Sequence, residues 1–116
     1  MKLAFFHDVR LYKDSNGVYY TSSSFGYEVW TRYLSVFDEL IVVSRSELLT
    51  DEQQKTRYAV SSGDGVVFVS VPNLASLSVK KHLEARRIIR KVLQNADCAF
   101  MRLPSLVGIM ACTAAI

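Results

Sequence analysis

Four short apolar runs recur along the chain, and each has the length of a buried strand. They are Leu3–Phe6, Leu40–Val43, Val66–Val71 and Cys98–Met101. Continuous apolar runs of this length, without polar alternation, are typical of parallel strands that are buried on both faces of a sheet. The runs therefore predict a mainly parallel sheet built from these four strands.

The segments that follow the first, third and fourth runs show helical character instead. Apolar side chains between residues 25 and 37 recur at helical spacing and predict a first helix: Phe25, Val29, Trp30, Tyr33, Leu34 and Phe37. We expect its N-cap oxygen to come from Ser22, Ser23 or Ser24. Residues 79–94 predict a second helix, and the side chains expected to face the sheet are Val79, Leu83, Ile88, Ile89, Val92 and Leu93. A third helix, apolar almost all round, is expected to begin at Pro104 or Ser105.

This alternation predicts an α/β fold: a Rossmann-like, doubly wound, mainly parallel sheet with helices on both faces. Such sheets bind ligands beyond the carboxyl ends of their strands, where the strand order reverses. Tyr58–Val60 and Val66–Val71 flank the glycine-containing segment Ser61–Gly65, which fits either a hairpin or a simple lead into the third main strand. The chain stops inside the apolar third helix, so we expect residues 1–116 to be a single, incomplete domain.

The connection between the first strand and the first helix is unusually long. It runs from His7 to Ser24, whereas links of this kind commonly have about two to six residues. Asn16 and Gly17 fit either a tight surface turn or a loop whose amides cradle a phosphate. Tyr19 and Tyr20 fit either stacking on a sugar ring or a packed loop with one ring inward and one outward.

Charged and polar residues follow the other strands at the same edge. Arg45 comes after the second strand and Arg102 after the fourth, where a fixed fork of donors suits a phosphate or a carboxylate. For Arg102, a pair with an internal acid is an equal alternative. Ser105 can bind an anion or cap its own helix. His7 with Asp8 has no nucleophile or second acid in view, so a structural role is favoured over acid–base chemistry.

Composition limits the partners and the compartment. The net charge of +3 is too mild to indicate nucleic acid. Cys98 and Cys112 lie among apolar residues and are interpreted as core side chains, and no metal-ligand spacing surrounds a histidine. Neither terminus has an apolar segment long enough for a signal peptide or a membrane span, so we expect a cytoplasmic location. The segment Lys80–Lys91 carries six basic residues against Glu84 alone, which fits a solvated helix face or peripheral association with anionic lipid at the inner membrane face.

Two stretches carry a resemblance to a known family. The segment LAFFHDVRLYKDSNGVYYTSSSFGYEVWTRYLSVFDELIVVSR resembles the opening of GT-B glycosyltransferases, in the large retaining group often called family 4. These enzymes begin with a short strand, a glycine-bearing loop, a helix and a strand ending near VVSR. The later DCAFMRLPSLVGIMA is similar to the strand and helix that close the front half of the same N-terminal domain. Members that assemble bacterial polysaccharides are the most similar in character.

The resemblance implies two Rossmann-like domains that face each other across a cleft. This chain would be the N-terminal, acceptor-binding one, and the C-terminal domain that binds the nucleotide-sugar and carries the acidic motif would be absent. Gly17 would reach the donor phosphates across the cleft, with Asn16 and Tyr19 beside it. Arg102 stands where many members have a histidine, so no catalytic residue carries over. The nucleotide-sugar and the glycan acceptor would be substrates, and no cofactor or metal is implied, so this chain alone is expected to be inactive.

Two other function classes fit the same pattern. One is a non-enzymatic α/β binding or regulatory module, although no acidic cluster of the receiver type follows the strands. The other is a stand-alone half that pairs with a separate catalytic subunit through an exposed apolar patch.

Overall fold

A computed structural model describes residues 1–7, 10–22, 25–49, 57–72, 78–101 and 110–112 of the chain. The strands in these ranges are β1 (Lys2–Phe6), β2 (Leu11–Lys13), β3 (Tyr19–Thr21), β4 (Glu39–Ser44), β5 (Ser46–Leu48), β6 (Ala59–Val60), β7 (Val66–Ser70) and β8 (Cys98–Met101). The helices are α1 (Tyr27–Leu34) and α2 (Val79–Asn95), and residues 110–112 are also helical.

The four predicted apolar runs form one sheet in the order β7-β4-β1-β8. All three pairings are parallel, and the central strand β1 lies between β4 and β8. Numbered along the chain, the strands lie in the order 3-2-1-4, which is the arrangement of a doubly wound Rossmann-like sheet. The α/β fold class predicted from the sequence is therefore confirmed.

Side chains alternate between the two faces of this sheet, and each face packs against a different helix. Leu3, Phe5, Leu40 and Val42 point to the side of α1, where Trp30 is fully buried against them; we call this side the α1 face. The alternate strand residues point to the opposite side, which we call the α2 face: Ala4, Phe6, Ile41 and Val43. They pack against Ala85, Ile89 and Val92 of α2 and against Ala111. Fully burying one large side chain stabilises the fold by about 1.5–3 kcal/mol, so both faces contribute.

The long connection after β1 is not a loop but part of a second sheet. Its strands β2 and β3 are antiparallel, and they lie between β5 and β6 in the order β5-β2-β3-β6. The hairpin alternative for the glycine-containing segment is wrong, because β6 pairs with β3 whereas β7 pairs with β4. The extra length of the connection therefore builds structure beyond the main sheet.

The turn that joins β2 to β3 is organised by Asp14. Its backbone amide donates to the Val18 carbonyl at 3.0 Å, and its carboxylate Oδ1 accepts from the amides of Asn16 (2.9 Å) and Val18 (2.8 Å). Gly17 takes a positive φ of 82°, which a glycine adopts without the steric cost of a Cβ. The side chain of Asp14 is 4% exposed, so these two amides depend on it for an acceptor.

Two details of the helices differ from the prediction. Helix α1 begins at Tyr27 with Gly26 at the N-cap, and no side chain caps it; Ser22 precedes this boundary, while Ser23 and Ser24 lie outside the described residues. Helix α2 buries Ala85, Ile89 and Val92, and leaves Val79 and Leu83 exposed at 71% and 64%. The two residues lie on the exposed side of the helix, away from that narrow stripe, so their predicted contact with the sheet is wrong. The predicted start of the third helix, Pro104 or Ser105, lies outside the described residues.

Replacing the turn carboxylate tests how the second sheet is held. Asp14→Ala leaves the amides of Asn16 and Val18 without their acceptor, and we expect it to lower the free energy of unfolding by about 1–3 kcal/mol. Asp14→Asn keeps one acceptor oxygen and should lose less. Urea unfolding followed by tryptophan fluorescence measures both, with the exposed neighbour Ser15→Ala as the control. Equal stability of Asp14→Ala and Ser15→Ala would contradict this role.

Candidate functional site

The main strands end together, and this shared end is the expected ligand edge; we call it the carboxyl edge. The register aligns Phe6 with Val43 and Met101, and Ser44 with Ser70. The ladder continues one step past the strands, since the His7 amide donates to the Val43 carbonyl at 3.2 Å. The strand order reverses between β1 and β8, so the switch point lies beside His7 and Met101.

His7, the first residue beyond β1, is fully buried in an aromatic cluster. Its ring stacks on Phe25 with centroids 5.1 Å apart and meets the edge of Phe5 at 5.4 Å. Trp30 lies 6.1 Å away on the same side. The imidazole therefore packs between α1 and the end of β1, as the structural interpretation of His7 expects. Asp8 lies outside the described residues.

Arg45 lies where the main sheet passes into the second sheet. It follows β4 directly, and its carbonyl accepts from the amide of Leu11 at 3.0 Å. Strand β5 then continues in parallel with β2, pairing Ser46 with Leu11. Arg45 is half-buried. Its backbone is thus fixed between two ladders at the carboxyl edge, in the position that the sequence predicts.

Asn16 and Gly17 form the exposed tip of the β2–β3 hairpin. The Gly17 amide donates to the Asp14 carbonyl at 3.2 Å, so the segment is a tight turn. A Cβ placed on Gly17 would meet nothing within 4 Å. Glycine is therefore required here by the positive φ, and the space beside the backbone is open to a ligand.

Tyr19 and Tyr20 point in opposite directions. The ring of Tyr19 stacks on Phe68 in the middle of β7, with centroids 4.3 Å apart, and Lys13 Nζ lies 5.7 Å from its centre. The phenol of Tyr20 donates to Asp14 Oδ2 at 3.4 Å on the other face of the hairpin. Tyr19 therefore packs inward on the α1 face, and Tyr20 is the member of the pair that a ligand can meet.

The predicted site residues do not all gather at one point. The contact of Tyr19 with Phe68 puts the hairpin toward β7, at the edge of the sheet opposite β8. Neighbouring strands are spaced by about 4.8 Å, so β7 and β8, three strand spacings apart, are separated by about 14 Å. Arg45 follows β4, the strand next to β7. Arg102 and Ser105 lie outside the described residues. The structure thus brings the hairpin and Arg45 to the same half of the carboxyl edge.

Sequence reasoning missed the residues that attach the second sheet to the core. Ser61 is fully buried, and its Oγ accepts from Trp30 Nε1 and donates to the Phe25 carbonyl, both at 2.8 Å. Ser62 Oγ accepts from the Tyr19 amide at 2.7 Å. A buried tryptophan signals the need for an acceptor, but the one it uses is distant in sequence and has no local signature.

A second missed feature is the pair formed by Tyr12 and Tyr58. Their rings stack with centroids 4.8 Å apart and an interplanar angle of 17°. Loss of hydration at the Tyr58 phenol, together with the neighbouring Tyr12 phenol, raises the pKa of Tyr58 above its ordinary value. The Tyr58 hydroxyl is therefore neutral at physiological pH, able to donate and to accept.

Two wider properties of the described residues bear on function. No group of three or more His, Cys, Asp or Glu side chains among them is arranged to hold a metal ion. Within the same ranges, no helix has the length and apolar content that a membrane crossing requires.

The contact between Trp30 and Ser61 is open to a direct measurement. We expect a double-mutant cycle between Trp30→Phe and Ser61→Ala to give a coupling of about 0.5–1.5 kcal/mol, the net worth of a buried hydrogen bond. Unfolding in urea followed by circular dichroism measures it. A cycle between Trp30→Phe and Ser62→Ala serves as the control, since Ser62 bonds Tyr19 instead. Additive effects in the Ser61 cycle would contradict the contact.

The comparisons with known proteins yield one informative relative. The sequence is 29% identical over 115 residues to the protein named CapJ of Staphylococcus aureus. The alignment covers 96% of this chain and 28% of CapJ, so the chain spans little more than a quarter of the length of that relative. No family model and no solved structure matches the sequence.

Proposed function

We propose that the chain is the acceptor-side domain of a glycosyltransferase that moves a sugar from a nucleotide-sugar to a glycan or lipid-linked acceptor. The observation that carries the proposal is a parallel sheet of order 3-2-1-4 whose carboxyl edge is extended by a second, hairpin-based sheet. The resemblance of residues 3–45 to GT-B enzymes of family 4 supports it. The similarity to CapJ along nearly the whole chain is compatible with it.

In this proposal the chain contributes binding and charge rather than a nucleophile. The backbone of Arg45 is held at the carboxyl edge, and we expect its guanidinium to steady the negative charge that develops on the leaving diphosphate. The open backbone around Gly17 lets phosphate oxygens come close to the chain. Transfer proceeds with retention and without an obligatory metal, as the resemblance implies.

The donor site belongs, in this proposal, to a second domain that closes the cleft from the other side. That domain holds the nucleotide-sugar and the acidic motif of the family. CapJ is more than three times as long as the matched segment, which leaves room for such a domain in a protein of this kind. The 116 residues by themselves are accordingly expected to bind without turning over.

Gly17 allows the phosphate contact to be separated from the fold. Asparagine tolerates a positive φ, so Gly17→Asn should keep the hairpin while placing a side chain in the open space beside the backbone. We expect turnover in the complete polypeptide that contains these residues to fall by about a hundredfold, the size of a lost oxyanion contact. Transfer of labelled sugar from a panel of UDP-, GDP- and dTDP-sugars measures it.

Ser15→Ala, in the same turn, is the matched control for this experiment. Circular dichroism and urea unfolding confirm that each variant is folded. Full turnover by a folded Gly17→Asn protein would show that the hairpin tip does not contact the donor phosphates.

We also propose that α2 holds the protein against anionic lipid at the cytoplasmic face of a membrane. Its basic side chains are exposed except for the half-buried Arg86, and Glu84 is the acid among them: Lys80, Lys81, Arg86, Arg87, Arg90 and Lys91. Val79 and Leu83 add exposed apolar surface on the flank that carries Arg86, Arg87 and Arg90. Basic residues near an anionic surface contribute about 1 kcal/mol each, and apolar neighbours add burial in the headgroup region.

Charge reversal on α2 tests this association. We expect Arg87→Glu with Arg90→Glu to weaken binding to phosphatidylcholine vesicles that contain phosphatidylglycerol by more than about tenfold. Sedimentation of the protein with these vesicles, and with pure phosphatidylcholine, measures it. Arg32→Glu, an exposed change on α1, is the control. Equal sedimentation of the wild-type protein with both kinds of vesicle would overturn the proposal.

A further inference from the structure

The second sheet presents three tyrosines on its outward face. Strand alternation turns Leu11 and Thr21 inward, where both are buried, and turns Tyr12 and its cross-strand partner Tyr20 outward. Tyr58 joins them by stacking on Tyr12. All three residues are half-buried, so part of the surface of each remains accessible. We call this surface the tyrosine face.

The rings of the tyrosine face are held in place before any ligand arrives. Tyr12 and Tyr58 pack ring on ring at 4.8 Å, and the hydroxyl of Tyr20 is tied to Asp14 at 3.4 Å. Tyr20 also lies directly across the strand pair from Tyr12. A surface whose side chains are already ordered loses little conformational entropy when it binds.

Polar groups lie at the rim of the tyrosine face. Glu47 pairs in register with Tyr12 and therefore shares its side of the sheet, and Arg10 Nε lies 3.4 Å from Glu47 Oε1. Both side chains keep about half of their surface exposed, at 44% for Arg10 and 53% for Glu47. The rim thus offers a guanidinium and a carboxylate, which can donate to and accept from neutral hydroxyls.

We propose that the tyrosine face binds the pyranose rings of a glycan acceptor, an inference that rests on the proposed function and names the acceptor-binding surface. The face of an aromatic ring is negative and attracts the positive C–H groups on the apolar side of a sugar ring. The sugar hydroxyls, which point outward from the same ring, meet Arg10, Glu47 and the phenols at the rim.

The charge on this surface favours a neutral sugar over an anionic ligand. Arg10 is already paired with Glu47, and Asp14 adds a second carboxylate beside Tyr20. Arg57, next to Tyr58, adds a second guanidinium, so two cations and two carboxylates balance and a diphosphate or a lipid phosphate finds no net positive charge there. The charge of α2 is different, because that helix carries six basic side chains and one acidic side chain, Glu84.

The position of the tyrosine face also fits an acceptor that leads into the carboxyl edge. Strands β2 and β5 continue past the ends of β1 and β4, with Leu11 bonded to Arg45 and paired with Ser46. Tyr12 is the next residue after Leu11. A glycan lying on the tyrosine face therefore runs toward Arg45, where the proposed reaction takes place.

The experiment measures sugar binding without any donor. Saturation-transfer NMR and calorimetry are carried out on the complete protein with cellohexaose, chitohexaose and maltohexaose as probes. We expect at least one of them to bind, and Tyr12→Ala or Tyr58→Ala to weaken that binding by about tenfold, the worth of one aromatic contact. Tyr12→Phe and Tyr58→Phe keep the ring and should retain most of the affinity.

The controls separate binding from folding and from catalysis. Leu48→Ala lies on the same sheet but shares its side with Lys13, away from the tyrosine face, and should bind as the wild type does. Unfolding in urea shows whether each variant is folded. Unchanged binding by folded Tyr12→Ala and Tyr58→Ala, or no binding of any probe to the wild type, overturns the proposal. If the protein binds the probes but transfers no sugar, the binding role of the tyrosine face is supported and the proposed glycosyltransferase function is contradicted.

Discussion

The fold depends on one strand, β1, which is paired along both edges and covered on both faces. Its residues Leu3–Phe6 are at most 4% exposed, with β4 on one side and β8 on the other. Alternate side chains enter the two cores, so β1 connects the α1 face to the α2 face. This strand also fixes the register of its neighbours. The position of the carboxyl edge, and of every residue proposed to act there, therefore follows from the burial of β1.

A second constraint ties the added sheet to that core. Trp30 is fully buried on the α1 face and needs an acceptor for its indole N–H, which Ser61 supplies from the segment that follows β6. The Ser61 amide in turn donates to the Tyr19 carbonyl at 2.8 Å, and Tyr19 packs on Phe68. These three contacts in series join α1, the hairpin and the edge strand β7. The long connection after β1 is accordingly an ordered extension of the fold rather than an independent loop.

The sequence predicts the main sheet well because buried parallel strands leave continuous apolar runs, and all four runs became strands of that sheet. The second sheet left no such trace. Its strands have two or three residues, and its pairings join Tyr20 to Val60 and Leu11 to Ser46 across distant parts of the chain. No periodic signal can arise in so few residues. On α2, counting large apolar residues predicted that Val79 and Leu83 face the sheet. The structure instead places the small Ala85 at the centre of the buried stripe.

The candidate site was predictable to a similar extent, and for the same reason. Arg45 follows a long apolar run, so its place at the carboxyl edge could be derived from the run alone. The opposite directions of Tyr19 and Tyr20 were one of two alternatives, and the packing of Tyr19 on Phe68 decides between them. Tyr12 and Tyr58 could not be found from sequence, because their stacking depends on the pairings of the second sheet. Together with α2, those pairings leave the molecule with two surfaces of different chemistry. The basic flank of α2 suits anionic headgroups, and the nearly neutral tyrosine face suits sugar rings. In the proposed function the two surfaces act separately, since a neutral glycan is not attracted by the charge proposed to hold the protein to the lipid.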